Sequence, residues 1–370
     1  MLKKNLINII LPNNTLRRKL IGSFIKKGIW FLKRLLCINF LVNWQIKNYA
    51  QNNIVKQKII PKKISIIILS FNRFNDTKNA IQNIYKFTRV PFELIILDNN
   101  SNDRIRKKLK LLVNQYTNIK LLLEDCNLGC AGGRKKALQY ASGEYILFFD
   151  NDILVTPNYL ENLISRLEED EKNVGTCCKV VFPNGKIQFN GGTMVIDDGF
   201  AIYDLVDWGL RYNSPNTLHH LNCEWIPGGA TLWKRDFILQ FSIDEGMKGS
   251  FEDNEVCLRI KKAGFNLVNA PDSIVIHNHI YFKNIFFKYR EKKYFQGRYN
   301  KERTKDALIH FYRQHGLIFS LKYRGNPWEE LFGIADKKQI MAFINDNINS
   351  SKPSETYITG GNNNIIQTEI

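Results

Sequence analysis

The feature that most limits the fold of this chain is an apolar run that ends in two carboxylates. Residues 143–152 read Gly-Glu-Tyr-Ile-Leu-Phe-Phe-Asp-Asn-Asp, so Asp150 and Asp152 close the run. Such a run predicts a strand covered on both faces, and ligands bind at the carboxyl ends of strands in open α/β sheets. Because side chains alternate along a strand, we expect both aspartates on one face, where they can hold one hard cation and a substrate diphosphate.

The segment Asp150-Asn151-Asp152 also suits a turn. Asp and Asn favour turns and helix caps, and a helical pattern over residues 157–168 follows them directly. The two interpretations predict different roles for the aspartates. The neighbouring segments favour the ligand site.

Three other segments repeat the design of a strand that runs into a polar loop. Residues 63–73 and 92–103 each pass from an apolar strand into a polar turn, and residues 119–124 lead into a glycine-rich loop and a helix. This alternation predicts an α/β fold with a mostly parallel, Rossmann-like sheet, right-handed crossovers and flanking helices. Every polar cluster then lies at the carboxyl end of a strand, as in nucleotide-binding proteins. The glycine-rich loop fits neither of the common phosphate-binding loop patterns.

In this order the motifs resemble those of the family 2 glycosyltransferases, which have the GT-A fold and an Asp-x-Asp (DxD) motif. The resemblance runs from about residue 64 to residue 279. The motifs are Ile-Leu-Ser-Phe-Asn-Arg (68–73), Leu-Asp-Asn-Asn-Ser-Asn-Asp (97–103), Asn-Leu-Gly-Cys-Ala-Gly-Gly-Arg (127–134), Phe-Asp-Asn-Asp (149–152), Phe-Glu-Asp-Asn-Glu-Val-Cys-Leu-Arg (251–259) and Val-Ile-His-Asn-His (275–279). We expect the catalytic domain to span residues 61–280.

The resemblance implies a site for a nucleoside-diphosphate sugar and a divalent cation, Mn²⁺ or Mg²⁺. The residues it assigns to the nucleotide sugar are Ser70, Asn72, Asp98, Asn99, Gly129, Arg134 and Asp150. The metal ligands it implies are Asp152 foremost, then Asp150 and His277, which we favour over His279.

Two departures from the family pattern leave alternatives open. Many relatives carry two acidic residues where this chain has Asp98 and Asn99, so either of these two reads the base, unless the segment is an ordinary turn. Arg134 follows the glycine cluster where many relatives have Asn. It either pairs with the diphosphate or lies solvated in the first turn of a helix.

For catalysis the resemblance implies the acidic pair Glu252 and Asp253. Asp253 is expected to take the proton from the acceptor hydroxyl, supported by Glu252, while the metal stabilises the departing nucleoside diphosphate in an inverting displacement. A short helix is predicted over residues 254–264. At its start, a carboxylate also suits the helix dipole, so a purely capping role is the alternative.

The acceptor side is expected between these motifs. Residues 180–195 predict a hairpin around Pro-Asn-Gly at 183–185. Gly228 and Gly229 allow a close backbone approach to a sugar or diphosphate. Trp225 either stacks on a sugar face or is a core aromatic.

The net charge of +18 is concentrated at the start of the chain. Residues 1–63 contain 14 Lys and Arg and no Asp or Glu, and residues 16–40 project as a basic amphipathic helix. Such a helix suits the surface of an anionic membrane, so we expect residues 1–60 to place the enzyme on the cytoplasmic, inner face of the cell membrane. Packing of this helix on the catalytic domain is the alternative. No uncharged apolar stretch reaches the ~18 residues of a spanning helix.

The rest of the chain is assigned by composition. Residues 281–345 predict a helical C-terminal extension, and residues 346–370, rich in Asn, Ser and Thr, predict a disordered tail. Seven cysteines lack any Cys-x-x-Cys pair, which indicates reduced cytosolic thiols.

The sequence therefore predicts an inverting glycosyltransferase that acts on a hydroxyl of a glycan or a lipid-linked carrier in surface polysaccharide assembly. One alternative is a sugar nucleotidyltransferase, although these enzymes resemble one another in a glycine-rich, Arg-containing loop after the first strand, where this chain has Ser-Phe-Asn-Arg-Phe (70–74). A second is a non-catalytic nucleic-acid or membrane binder. We expect no nucleic-acid partner, because the excess charge lies in one amphipathic segment instead of being spread over the fold.

Overall fold

The computed structural model describes residues 38–52, 63–248, 250–279, 300–323, 325–350 and 365–367. The predicted basic helix at 16–40 lies outside these residues except for its last three positions. The first part of the C-terminal extension, up to residue 299, also lies outside them.

The first half of the described chain alternates strands and helices, as predicted. Its elements are α1 (Ile38–Asn52), β1 (Ile64–Ser70), α2 (Phe74–Phe87), β2 (Phe92–Asp98), α3 (Asp103–Val113), β3 (Ile119–Leu123), α4 (Gly129–Leu138), β4 (Tyr145–Asp150), β5 (Ile153–Val155) and α5 (Tyr159–Leu167).

The second half is richer in strands. Its elements are β6 (Asn173–Val181), β7 (Ile187–Phe189), β8 (Gly192–Asp197), β9 (Phe200–Leu205), β10 (Asn222–Cys223), β11 (Ala230–Lys234), α6 (Arg235–Phe241), α7 (Glu252–Lys262), β12 (Asn266–His277), α8 (Lys301–His315), β13 (Ile318–Leu321), α9 (Pro327–Phe332), α10 (Lys337–Ser350) and β14 (Ile365–Gln367). The predicted hairpin is confirmed, since β6 pairs antiparallel with β7.

One large sheet runs through the molecule in the order β10-β12-β6-β11-β4-β1-β2-β3-β14, and a smaller sheet has the order β13-β9-β8. β1 is parallel to both β2 and β4, and β2 is parallel to β3. The α/β class and the parallel arrangement of this half are thereby confirmed. β11 is antiparallel to both of its neighbours, β4 and β6, so the sheet as a whole is mixed.

The central strands are buried because they carry aliphatic and aromatic residues on both faces. Each residue of β4 from Tyr145 to Phe149 is at most 3% exposed. Helices cover the two faces of the sheet. In α2, for example, Ala80 and Ile81 lie one helical turn before Ile84, on the same face, and all three are buried. This rigid core fixes the loops that follow the strands.

The register of the parallel strands brings the polar loops to one edge of the sheet. Ser70 pairs with Asp98, and Leu69 pairs with Asp150. β4 ends at Asp150, and the turn that follows leads through Asp152 into β5. The Asp-Asn-Asp motif therefore ends a buried strand and also forms a turn, and its role as a ligand site stays a prediction.

The helices α1 and α8 both pack on the catalytic domain. Ile46 of α1 is fully buried in a cluster with Ile187 and Ile276. His315 of α8 contacts Glu255 of α7, with Nε2 3.1 Å from Oε1. Among the helices that the structure describes, none has both the length and the apolar character of a transmembrane span.

Two parts of residues 346–370, predicted to form a disordered tail, are described and have regular secondary structure. Residues 346–350 continue α10, and β14 pairs antiparallel with β3. An extended segment can satisfy its backbone groups against an exposed strand edge whatever its composition, and β3 offers such an edge.

Glu93 ties together the strands that carry these loops. Its Oε1 accepts hydrogen bonds from Ser65 Oγ, Ser142 N and Ser142 Oγ, each at 2.7 Å, and its Oε2 lies 2.9 Å from Lys120 Nζ. Burial by itself would raise the pKa of Glu93, but the bonds from Ser142, Ser65 and Lys120 outweigh it and lower the pKa to about 2. The carboxylate thus links β1, β2, β3 and the approach to β4.

We expect Glu93→Gln to lower the free energy of unfolding by roughly 1–3 kcal/mol at neutral pH, because it weakens hydrogen bonds to a buried charge. The folded-state pKa is depressed, so this stabilisation is present above the ordinary pKa of 4.5 and is lost as the pH falls towards 2. Urea unfolding across this range should give free energies for the wild type and the variant that converge at low pH. The exposed Glu144→Gln is the matched control, and a difference that stays constant with pH would contradict the assignment.

Candidate active site

The loops after β1 and β2 are tied to each other by side chains of the first two motifs. Asn72 has a left-handed backbone, with φ of 54°. Its N–H donates to Ser101 Oγ at 2.8 Å, and its Oδ1 accepts from Asn102 N at 2.9 Å. Ser70 Oγ lies 3.0 Å from Thr77 Oγ1 at the start of α2. Ser70 and Asn72 therefore shape the loops of the predicted nucleotide site.

Asp98 and Asn99 differ in how many of their side-chain polar atoms form hydrogen bonds within the described residues. Asn99 Oδ1 accepts from Leu128 N at 2.7 Å and its Nδ2 donates to Gly129 O at 2.9 Å, so both polar atoms hold the glycine motif. Asp98 is fully buried, and burial raises its pKa. Its Oδ2 accepts from Arg106 Nε at 3.2 Å, while Oδ1 has no hydrogen-bond partner among the described residues. Asp98 thus keeps one buried acceptor atom unused within the described residues, whereas Asn99 uses both of its polar groups to hold the glycine motif.

Arg134 is buried and bridges two acidic groups. It is 5% exposed, with Nη2 at 2.9 Å from Asp150 Oδ1 and Nη1 at 2.6 Å from Glu252 Oε1. A solvated position in the first turn of α4 is therefore wrong, because the side chain turns inward to two carboxylates. The guanidinium joins the end of β4 to the start of α7.

Gly228 and Gly229 make room for this ion-pair bridge. A Cβ on Gly228 would lie 2.4 Å from Arg134 Nη1, and a Cβ on Gly229 would lie 2.3 Å from Asp150 Oδ2. Any side chain here would push the charged groups away. In this structure the groups that approach these glycines closely are Arg134 and Asp150, and the approach to a sugar or diphosphate stays a prediction.

The predicted acidic pair opens α7. Gly228 N donates to Asp253 Oδ2 at 3.1 Å, and Asn254 N donates to Oδ1 at 3.0 Å. Burial raises the pKa of both Glu252 and Asp253, and the nearby Arg134 opposes this shift. A carboxylate with a raised pKa is a stronger base than an exposed one, so the pair suits proton abstraction.

Asp152 lies in a second polar cluster. Its Oδ2 is 3.1 Å from Arg73 Nη1, and its Oδ1 is 3.1 Å from His277 Nε2. His277 Nδ1 lies 2.7 Å from Gln188 Oε1. With the Gln188 amide oxygen as the acceptor, Nδ1 is the donor of this bond, and Nε2 faces the Asp152 carboxylate. At 3.1 Å, a proton or a cation can lie between Nε2 and Oδ1.

The donor set of Asp152 and His277 therefore fits a divalent cation. Within the described parts of the chain, no group of three or more His, Cys, Asp or Glu is arranged to hold a metal ion. Asp150 and Asp152 were expected to grip one ion from a common face. In this structure β4 ends at Asp150, which contacts Arg134, while Asp152 lies beyond the turn and contacts Arg73 and His277, so a shared ion between the two aspartates stays a prediction.

Trp225 occupies the core. It is 4% exposed, its Nε1 donates to Asp204 O at 3.1 Å, and its ring packs on Phe189 and Tyr203 at centroid distances of 5.0 and 6.1 Å. A Cβ on Gly192 would lie 2.1 Å from its Nε1. Of the two roles considered for Trp225, this packing favours the core aromatic.

Three residues of the site were missed by sequence reasoning. Arg73 ends the first quoted motif, so its position was known but its contact with Asp152 was not. Arg106 sits in a helix that reads as an ordinary basic amphipathic segment. Gln188 lies within the predicted hairpin, where no residue pattern marks it as a partner of His277.

The sheet order and the polar loops at the sheet edge define a fold of the GT-A type. Among solved structures, the chain is similar to the crystal structure of GalNAc-T7 with UDP, GalNAc and Mn²⁺, with a TM-score of 0.51 and 17% identity over 78% of this chain and 55% of that one. This likeness shows the fold.

Residues 65–218 match the family model described as glycosyl transferase family 2, so this part of the chain carries the sequence pattern of that family. It is 28% identical to the O-antigen biosynthesis protein RfbC of Myxococcus xanthus over 58% of this chain and 17% of that protein. It is 38% identical to the UDP-Glc:alpha-D-GlcNAc-diphosphoundecaprenol beta-1,3-glucosyltransferase WfgD of Escherichia coli over 28% of this chain and 40% of that protein. The chain thus spans less than half the length of these curated relatives.

We expect Gly228→Ala to reduce glycosyl transfer by at least ~10-fold, because the added methyl displaces Arg134 from its two carboxylates, and a loss of about 1.4 kcal/mol in transition-state stabilisation has this effect. Steady-state kinetics of the purified protein measure the loss. Gly132→Ala in α4 is the matched control, since its Cβ would contact only Leu128 Cβ at 3.2 Å. Equal activity of both variants would show that the bridge has no catalytic importance.

Proposed function

We propose that this glycosyltransferase moves a sugar from a nucleoside diphosphate to a hydroxyl of a glycan or lipid-linked acceptor, with inversion and with the help of a divalent cation. The observation that carries the proposal is the bridge made by Arg134. It holds Asp150, at the carboxyl end of β4, next to the acidic pair that opens α7. A donor bound at the sheet edge would then lie beside a general base.

The proposed reaction is a single in-line displacement. The acceptor oxygen forms a bond to the anomeric carbon as the bond from that carbon to the diphosphate oxygen breaks. Asp253 takes the acceptor proton, and the nucleoside diphosphate leaves with the bonding electron pair. The bonds from Gly228 N and Asn254 N fix the orientation of the Asp253 carboxylate, which leaves its remaining lone pairs for the acceptor.

Asp152 and His277 are the residues that would hold the cation, and Gln188 would keep the histidine ring in the required orientation. When bound, the cation neutralises the charge of the departing diphosphate. Arg73, paired with the second oxygen of Asp152, adds a positive charge beside the same position. Asp98 is proposed to read the nucleotide base through the oxygen that has no partner among the described residues.

The first experiment is a panel of nucleoside-diphosphate sugars, tested with and without Mn²⁺, in which release of nucleoside diphosphate is measured. We expect one donor to turn over in a metal-dependent way, Asp152→Ala to lose donor turnover, and Asp253→Asn to lower it by ~10²-fold or more, since general bases contribute on this order. Asp236→Asn is the matched control, because that side chain is 94% exposed on α6.

Two further readouts separate the parts of the proposal. The anomeric configuration of the product, read by NMR, tests inversion, and retention would overturn the single-displacement mechanism. Equilibrium binding of each donor tests the site itself. If no donor binds to the wild type, the assignment of the nucleotide site is wrong.

The setting is proposed from the relatives and from the N-terminal charge. The names of these two relatives refer to O-antigen biosynthesis and to a diphosphoundecaprenol-linked sugar, which supports surface polysaccharide assembly. Residues 1–63 carry 14 basic residues and no acidic ones, which supports attachment to the inner face of the cell membrane.

We expect the intact chain to sediment with vesicles that contain anionic lipid and to stay in solution with neutral vesicles, because basic residues near an anionic surface each contribute about 1 kcal/mol. Salt should release the bound protein, since it screens the attraction. Equal binding to both kinds of vesicle would contradict an electrostatic attachment.

A further inference from the structure

An exposed tryptophan lies in a row of aromatic rings that begins at the candidate active site and continues beyond it to Tyr323. His277, which contacts Asp152, lies with its ring 4.9 Å from that of His279. The ring of His279 is 6.5 Å from that of Phe182, and Phe182 is 5.8 Å from Trp208. Trp208 is 45% exposed. The row therefore connects the proposed cation ligands to a large, solvent-accessible aromatic surface.

The turn that carries Trp208 is attached to the strand that orients His277. Gly209 N donates to Ile187 O at 2.9 Å. The next residue of that strand, β7, is Gln188, which bonds to His277 Nδ1. A single short strand thus fixes both Trp208 and a proposed metal ligand. The distance between the exposed indole and the site is set by covalent and hydrogen-bonded structure.

The backbone before Trp208 turns sharply. Asp207 has a φ of 59°, in the left-handed region that Asp adopts more readily than most residues with a side chain. Its Oδ2 accepts a hydrogen bond of 2.7 Å from Nδ2 of the fully buried Asn190 and lies 3.3 Å from His219 Nε2. These contacts hold the turn that exposes the indole.

The exposed indole suits the face of a sugar ring. A pyranose presents C–H groups on its faces and hydroxyls at its rim, and covering apolar surface contributes about 25 cal/mol per Å². Tryptophan adds a rigid apolar plane and one N–H donor at its edge. Trp225, by contrast, is 4% exposed and packs within the core. Trp208 therefore has the accessibility that a stacking residue needs.

We propose that Trp208 stacks on a sugar ring of the acceptor and so forms an acceptor subsite, an inference that rests on the proposed transferase function. The row of rings from His277 gives this subsite a direct connection to the place where the donor diphosphate would lie. Trp44 is a useful comparison, because it is 57% exposed but lies on α1.

The first test uses the full-length protein labelled with fluorotryptophan. Trp208→Phe and Trp44→Phe assign two of the ¹⁹F resonances, and the labelled wild type is titrated with methyl glycosides of glucose, galactose and N-acetylglucosamine. We expect a saturable shift of the Trp208 resonance with at least one glycoside and no shift of the Trp44 resonance. If no glycoside moves the Trp208 resonance, the inference is overturned.

The second test compares acceptor kinetics, with the glycosides as acceptors and the donor identified from the panel. We expect Trp208→Ala to raise the acceptor KM by ~10-fold or more, about 1.4 kcal/mol of binding, with a smaller change in kcat. Trp208→Phe should restore most of the affinity, and Trp44→Ala should behave like the wild type. If the wild type releases no nucleoside diphosphate from any donor but shows the ¹⁹F shift, the proposed function is wrong and the sugar site stands. If Trp208→Ala has a normal acceptor KM, the subsite is wrong and the proposed function stands.

Discussion

The arrangement of the site depends on one buried guanidinium. Arg134 contacts Asp150 on the nucleotide side and Glu252 on the side of α7, and it is the cation that opposes the raised pKa of the acidic pair. Without it, carboxylates would remain buried with no compensating charge, which is strongly destabilising. The guanidinium therefore stabilises the fold where the end of β4 meets the start of α7. It also brings the predicted base next to the predicted donor site.

Much of the fold was predictable because its signals are local. Apolar runs gave the strands, amphipathic periods gave the helices, and polar clusters after the strands gave the edge at which Ser70, Asp98 and Asp150 meet. The antiparallel β11 was not predictable from strand–helix alternation, since that pattern describes only the first half. The tail illustrates a similar limit, because the pairing of β14 with β3 depends on an edge distant in sequence.

The site was predictable as a set of residues but not as a set of contacts. The inward turn of Arg134 depends on the absence of side chains at Gly228 and Gly229, which are distant in sequence. The same holds for the tryptophans. Trp225 stands in a glycine-rich segment that suggests access, yet it is buried, whereas Trp208 carries no motif and is exposed by the turn at Asp207.

The contact between α8 and α7 bears on how such enzymes can be divided and recombined. Glu255, two residues after the predicted base, is paired with Arg259 and with His315 of α8, and Phe319 beyond it packs on Phe251 at 4.2 Å. Residues after 300 thus brace the helix that carries the acidic pair. A transplantable catalytic module would need to include them, and exchanging that C-terminal portion between homologues would also exchange part of the support of the active site.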